Sequence, residues 1–367
     1  KIEPLDGDAH RGDISSILRR TGSKVNWRFE VHNRNKRSMA LNLKQDAGRD
    51  ILYELVGSAD VFMTNYEPAT VDKLKIDYGS LKDVNPGLIY ASLSGYGKAG
   101  PDKNARGFDF TAAWARTGVQ HLLCEPGASP PMAPNGMMDR ATGTMMVAGV
   151  LAALLHREKT GQGQELELSL YHSGVWSLIA DLQETMVGNT VAPRDRRNAL
   201  NPLCNTYQTR DGLWVQLAML EADSFWPDFC RAIDRPDVRM DPRFEKMAAR
   251  ADHREELIAI LDNVFAARDR PEWESRLQDR NCIFGWIEPP EAIVDDPQAK
   301  ANGFFTEMQH PEAGETRYLT TPVTFRQNPA TIRTTAPELG QHTEEILLEM
   351  GRSWDEIIEL KKKGAII

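Results

Sequence analysis

Several things that would mark a specialised class are scarce or missing in this chain. Its 367 residues hold only four cysteines, Cys124, Cys204, Cys230 and Cys282, scattered with no C-x-x-C spacing. That pattern builds neither a disulfide framework nor a zinc knuckle, and it fits a reduced, cytoplasmic protein. The longest apolar run, Met145 to Leu155, falls well short of the roughly 20 residues a bilayer-spanning helix needs, so no membrane span is expected. No signal-peptide pattern follows Lys1. Positive charge is not in excess either: 44 Lys and Arg against 53 Asp and Glu leave a net charge of −9. Nucleic acid is therefore not an expected partner, although a local basic pocket stays open. The P-loop, H-E-x-x-H and G-x-S-x-G patterns are missing, which removes support for nucleotide hydrolysis, zinc proteolysis and serine-hydrolase chemistry. The eight histidines show no ligand spacing, so no metal site is expected.

What is present reads as globular protein, 41% hydrophobic and 26% charged, long enough for one large or two joined domains. In the first half, helix-like and strand-like segments alternate. Ala47 to Ala59 puts Ile51, Leu52, Leu55 and Val56 on one helical face, and Val61 to Thr64 follows as a strand. Asn85-Pro86-Gly87 then breaks a second helical stretch ahead of an apolar strand at Leu88 to Leu93. Such βα alternation predicts a mainly parallel sheet covered by helices. Residues 107–118 and 140–157 read as helices, the latter small-residue-rich and expected to be buried. Thr160-Gly161-Gln162-Gly163 stops it before a strand at Gln164 to Leu170. A polar, Arg- and Pro-bearing connector near residues 190–203 suggests a second unit, with a strand at Trp214 to Leu217, helices over 222–233, 252–267 and 271–279, and a strand at Cys282 to Ile287. Helices at His342 to Met350 and Ser353 to Lys363 close the chain.

Four features could carry chemistry, and each also has a plain structural reading. Arg19, Arg20, Lys24, Arg28, Arg34, Lys36 and Arg37 form a basic stretch that is either a solvated face or a phosphate site. Asp139 stands at the head of the small-residue helix, either as an ordinary N-cap or as an exposed nucleophile with helix amides near an oxyanion. Asp109, in Arg106-Gly107-Phe108-Asp109, poses the same choice between capping and catalysis. Met132, Met137, Met138 and Trp114 could line an apolar acyl pocket or belong to the core.

A set of motifs in one order along nearly the whole chain resembles the class III coenzyme A transferases, the family of formyl-CoA, crotonobetainyl-CoA and benzylsuccinate CoA-transferases. The set opens with Lys1-Ile2-Glu3-Pro4, Gly7-Asp8 and Arg11, then Asn33-Arg34-Asn35-Lys36-Arg37-Ser38. It continues with Asn65-Tyr66-Glu67-Pro68, Asn85 to Ser92, Ser94-Gly95-Tyr96-Gly97, Gly100-Pro101, Arg106 to Asp109, the Asp139 loop, Arg157 with Thr160 to Gln164, and Gly340-Gln341-His342-Thr343-Glu344-Glu345.

The resemblance implies a large, open, Rossmann-like α/β domain, residues 1–190 plus 312–367, with a smaller α+β domain at 200–310 inserted. It implies an interlocked homodimer, or a heteromer with a paralogous subunit. The family begins upstream of the position of Lys1, so a first strand and helix are expected to precede it. The implied activity is CoA transfer from an acyl-CoA thioester to a carboxylic acid through aspartyl anhydride and aspartyl-CoA thioester intermediates on Asp139, with CoA as co-substrate and no permanently bound cofactor. The CoA contacts carry over to Arg11, Leu41, Lys44, Asn65, Tyr66, Glu67, Lys73, Leu74, Arg106, Phe108 and Asp109. No glycine-rich run that could close over Asp139 follows residue 190. A racemase branch of the family uses a histidine where this chain has Phe108, which cannot exchange a proton, so transfer is favoured over 2-methylacyl-CoA racemisation. A non-catalytic subunit beside an active paralogue is the remaining alternative.

Overall fold

The computed structural model describes residues 1–12 and 22–367. Arg19 and Arg20 of the basic stretch lie outside the described residues. The chain divides into two compact units, the first made of residues 1–113, 135–176 and 295–367, the second of 114–134 and 177–294. These borders differ from those drawn on the sequence: 114–134 and 177–190 join the second unit and 295–311 the first.

In the first unit, β1 (Ile2–Glu3) pairs in parallel with β2 (Met39–Ala40). A second parallel sheet has the order β3 (Val61–Thr64), β4 (Ile89–Ser94), β5 (Gln164–Ser169). Helix α1 (Trp27–Asn33) starts at Asn26, whose side chain accepts the Phe29 amide at 3.2 Å. Helix α2 (Asp46–Ser58) buries Gly48, Ile51, Leu52 and Val56, the face its periodicity predicts, with Leu55 half-buried. The second helical stretch is two helices, α3 (Pro68–Leu74) and α4 (Tyr78–Val84). Pro68 starts α3 at a position needing no amide, and the left-handed Lys75 (φ 57°) ends it. These helices close over Met39, Leu41, Leu81, Leu88 and Tyr90, joined from the C-terminal helices by Leu347 and Ile357. Each such side chain removed from water contributes about 1.5–3 kcal/mol.

Helix α5 (Met137–Thr160) differs most from expectation. It is 24 residues long, beginning three residues earlier than predicted, and only Met138, Thr142, Met146 and Ala153 are buried. One face packs on β4 and β5, while Val147, Leu151 and Leu155 stay exposed. By length and composition α5 passes for a membrane span; its seat on a parallel sheet makes it the sheet's covering helix instead. In the second unit, strands Thr206–Gln208, Trp214–Leu217 and Phe284–Trp286 form an antiparallel sheet packed with helices Ala222–Ala232, Arg254–Phe265 and Arg270–Gln278 around Phe229, Phe265 and Trp273.

A buried polar knot ties the first unit together. The Glu3 carboxylate accepts from Arg11 Nε (2.7 Å) and Nη2 (2.8 Å), from Ser38 Oγ (2.8 Å) and from the Asp8 amide (3.2 Å). Ser38 Oγ in turn accepts the Gly340 amide at 3.1 Å, and the Ser38 amide reaches His342 Nδ1 at 3.2 Å. Burial alone would raise the Glu3 carboxyl, but the hydrogen bonds from Arg11 and Ser38 and the charges of Lys1 and Arg11 outweigh it and hold the group at about 2. A depressed carboxyl contributes stability that is full above its unfolded value and is lost as pH falls toward its folded one. Glu3→Gln is therefore expected to cost about 3 kcal/mol near neutral pH. In denaturant melts the gap to wild type should narrow as pH falls from about 5 toward 2; a gap that stays constant with pH would show that the charge is not what Glu3 supplies.

Candidate active site

Loops leaving the carboxyl ends of β3 and β4 gather the candidate residues, the edge of an α/β sheet where ligands are commonly held. Asn65-Tyr66-Glu67 follows β3 directly and is exposed. After β4 the chain passes through Gly95, and a return loop brings Gly107 against it. A Cβ on Gly107 would sit 2.8 Å from Gly95 Cα and 2.9 Å from the Tyr96 ring, so only glycine permits this crossing. The segment Gly95 to Gly100 has the G-x-G-x-x-G spacing of a dinucleotide-binding turn and follows a strand, but turns rather than a helix come after it, so the helix N-terminus that such a motif needs is missing.

Past the crossing, Asp109 opens a seven-residue π-helical segment, Asp109–Ala115, where a regular helix was expected. Its side chain points away from that segment: Oδ1 accepts the Asp139 amide at 2.9 Å. Asp109 is 5% exposed, and its Oδ2 is buried with no hydrogen-bond partner among the described residues. Asp139 is not an N-cap. Gly136, left-handed at φ 63°, holds that position without a side chain, and Asp139 is the third residue of α5. Its own amide is one of the first-turn donors a helix cannot satisfy internally, and Asp109 satisfies it from outside. The capping role suspected for Asp139 thus belongs to Asp109, and the Asp139 carboxylate is left free and exposed. Partial desolvation, then the charge of Asp109, push the Asp139 carboxyl above its ordinary range, against the pull of Arg140, His10 and His32. A more basic carboxylate is a better nucleophile in its ionised form than an ordinary aspartate.

The other expected residues take varied positions. Arg106 is exposed and reaches Glu67 at 3.4 Å, which brings the β3 and β4 loops together. Phe108 is 68% exposed beside it. Lys44 and Lys73 are exposed cations and Leu74 is half-buried. Burial, followed by the charges of Asp8, Asp6 and Glu3, raises the Tyr66 hydroxyl. Leu41 is buried in the core, which leaves only its main chain to a ligand. Arg11 is committed to Glu3 and to the Pro337 carbonyl at 2.9 Å and lies over the Phe29 ring. Of the basic stretch, Arg37 pairs with Glu345 and Glu349, and Lys36 donates to the His32 carbonyl at 2.7 Å. Met138 and Trp114 are buried, whereas Met132 and Met137 are exposed. Among the described residues, no three His, Cys, Asp or Glu side chains cluster as a metal site would require.

The sequence reading missed two contacts: the Asp109–Asp139 hydrogen bond, which joins residues thirty positions apart, and the part the Gly340 to Thr343 motif plays in the Glu3 knot. Neither leaves a local sequence signal, because each partner is an ordinary residue until the fold brings it to the other.

Comparison with known proteins matches residues 1–343 to CoA-transferase family III. The chain is 34% identical to (R)-2-hydroxy-4-methylpentanoate CoA-transferase of Clostridioides difficile, covering all of this chain and 92% of that protein. It is 33% identical to cinnamoyl-CoA:phenyllactate CoA-transferase of Clostridium sporogenes, covering all of this chain and 90% of that one. Among solved structures, Rv3272 from M. tuberculosis superposes with a TM-score of 0.81 at 26% identity, covering 94% of this chain and 89% of that one. A CAIB/BAIF family protein from Brucella suis gives 0.79 at 26% identity, covering 95% of this chain and 91% of that one.

The Gly95–Gly107 crossing is open to a direct test. Gly107→Ala is expected to cost about 1–3 kcal/mol through backbone displacement, seen as a lower denaturant midpoint. Gly57→Ala, in α2 with open space around the added methyl, should be neutral or slightly stabilising. Equal midpoints for the two variants would remove the crossing as a constraint.

Proposed function

The chain belongs to CoA-transferase family III and is a CoA-transferase, and from that premise we propose that it moves CoA from an acyl-CoA thioester to a carboxylic acid through covalent intermediates on Asp139. The observation that carries this reading is an exposed, up-shifted carboxylate on the first turn of α5 whose amide is held by a buried partner. In the first step an Asp139 oxygen attacks the thioester carbonyl, the C–S bond breaks, and CoA leaves as its thiolate from a mixed anhydride. The thiolate attacks the aspartyl carbonyl of that anhydride, releasing the donor carboxylate and leaving an aspartyl-CoA thioester. The acceptor carboxylate attacks this thioester, forming a second anhydride and freeing the thiolate again. Attack of the thiolate on the new acyl carbon gives the product thioester and restores Asp139. Each step exchanges one acyl bond for another, and the positive end of α5 favours the oxyanion formed in each. Water must be kept from the anhydrides, whose hydrolysis would waste the thioester.

For CoA itself, Lys44, Lys73 and Arg106 are exposed cations suited to its phosphates, with the Asn65-Tyr66-Glu67 loop, Leu74, Phe108 and Asp109 completing the site and Leu41 contributing its main chain. Arg11 serves this site by holding Glu3 and the main chain around it. The two relatives named above act on acids that are branched or aryl 2-hydroxy acids, and the exposed apolar Phe108, Phe110 and Met137 flanking the two aspartates suit the same class. The acceptor proposed here is accordingly a 2-hydroxy acid with a branched or aryl side chain. The four free cysteines support a reducing, cytoplasmic setting. The exposed stripe Val147, Leu151 and Leu155, at four-residue spacing on α5, supports a dimer that covers it, in the interlocked arrangement or beside a paralogous subunit.

Asp139→Ala should fold and lose transfer by several orders of magnitude, and wild-type enzyme given donor acyl-CoA plus hydroxylamine should carry the adduct on Asp139. Turnover without modification of that residue would end the proposal, and exchange of the 2-position hydrogen with deuterated solvent, without acceptor, would favour the racemase instead. In sedimentation equilibrium the wild type should be dimeric and Leu151→Glu should dissociate or aggregate; a monodisperse wild-type monomer would exclude the dimer.

A further inference from the structure

Asp109 sits in the first unit with an arrangement that capping alone does not explain. One carboxylate oxygen does all the capping, accepting the Asp139 amide at 2.9 Å. The other is buried without a hydrogen-bond partner among the described residues, although the whole residue is 5% exposed. An uncapped amide could be satisfied by a neutral serine, threonine or asparagine at no electrostatic cost. Burying a carboxylate with one oxygen unsolvated is unfavourable, and placing it beside a second carboxylate more so. Strain retained at such a place calls for a compensating use in the reaction.

The reaction supplies one. In the resting enzyme two carboxylates oppose each other. Once Asp139 has attacked the thioester it is a neutral anhydride, and the negative charge has left on the CoA thiolate; as the aspartyl-CoA thioester it is neutral again. Both covalent intermediates relieve the repulsion, and the resting state alone bears it. We propose that Asp109 is a positioning residue that fixes the main chain of Asp139 through Oδ1 and, through the charge of its buried carboxylate, drives Asp139 from carboxylate toward its neutral acyl intermediates. The inference rests on the reading of Asp139 as the nucleophile. The charges facing Asp139 are Asp109, which opposes its ionisation, and Arg140, His10 and His32, which favour it. Removing the first must leave the other three dominant.

Asp109→Asn tests this, because the amide oxygen can still accept the Asp139 N–H while the charge is gone. The expected result is a folded protein in which the acid limb of kcat/KM moves to lower pH and single-turnover release of the donor carboxylate, without acceptor, slows on the order of tenfold. Asp109→Glu, retaining the charge, should leave the acid limb near wild type even where the longer side chain lowers turnover. NMR titration of 13C-labelled aspartate in the resting enzyme should show the Asp139 carboxyl moving down in Asp109→Asn, a readout that needs no turnover. A folded Asp109→Asn with unchanged acid limb and donor-carboxylate release would reduce Asp109 to a cap and overturn the inference, as would slower release with no movement of the limb. Should Asp109→Asn fail to fold, an acid limb in Asp109→Glu displaced to lower pH would overturn it and an unmoved one would support it. Absence of the Asp139 adduct in wild type would sink the nucleophile reading instead, and the NMR titration would still report the Asp109 effect separately.

Discussion

A helix begins with amides that its own backbone cannot satisfy, and the placement of this protein's candidate site follows from how one of them is met. The Asp139 amide is taken by Asp109, a residue that arrives from the loop after β4 by way of the Gly95–Gly107 crossing. That single bond sets the register between the head of α5 and the sheet edge. It also frees the Asp139 side chain, since a carboxylate occupied with capping its own helix would have its lone pairs aimed at the backbone rather than outward. Exposure and orientation of the carboxylate therefore depend on a different residue having taken over the structural task.

The ordered motifs that suggested the family divide into two physical groups. Arg106 to Asp109, the Asp139 turn and the loop after β3 meet at the carboxyl ends of the strands. The opening Lys1 to Arg11 segment, Ser38 and the Gly340 to Thr343 segment are linked into one buried hydrogen-bonded assembly around Glu3. His342 accepts the Ser38 amide there, and Thr343 Oγ1 accepts the Ala40 amide at 3.1 Å. These residues hold β2 to the C-terminal segment; they are architecture, and their chemistry is consumed in it.

Much of the fold was legible in the sequence. The strands Val61–Thr64 and Trp214–Leu217 appear with the predicted bounds, because short β-branched and aromatic runs between turn residues leave few alternatives. The buried face of α2 follows from period 3.6 alone. Two readings failed for separable reasons, and a third was silent on contacts. The small residues of α5 suggested burial, yet small side chains only permit close packing and do not require it: Ala153 is buried, while Val147, Leu151 and Leu155 on the same helix stay exposed among the described residues. Residues 109–115 read as an ordinary helix because periodicity does not distinguish a π-helical segment from an α-helical one. The positions of Arg11 and Leu41 were legible as parts of a motif but not in their contacts, since ion pairing with Glu3 and core burial are both decided by residues distant in sequence.

An acidic protein that handles a polyphosphorylated co-substrate faces an electrostatic conflict, and the distribution of cations shows one way through it. Most of the arginines in the second unit are bound to neighbouring carboxylates, as in Arg243 with Asp241 and Glu256 or Arg210 with Asp269. In the first unit, Lys44 and Lys73 are exposed, and Arg106, after β4, has only a loose, largely solvated contact with Glu67, after β3. A cation already paired at close range offers little net field to a phosphate, whereas a solvated one retains most of its charge to give. Net charge is therefore a poor guide to anion binding here. What governs it is which cations the fold leaves without a tight partner.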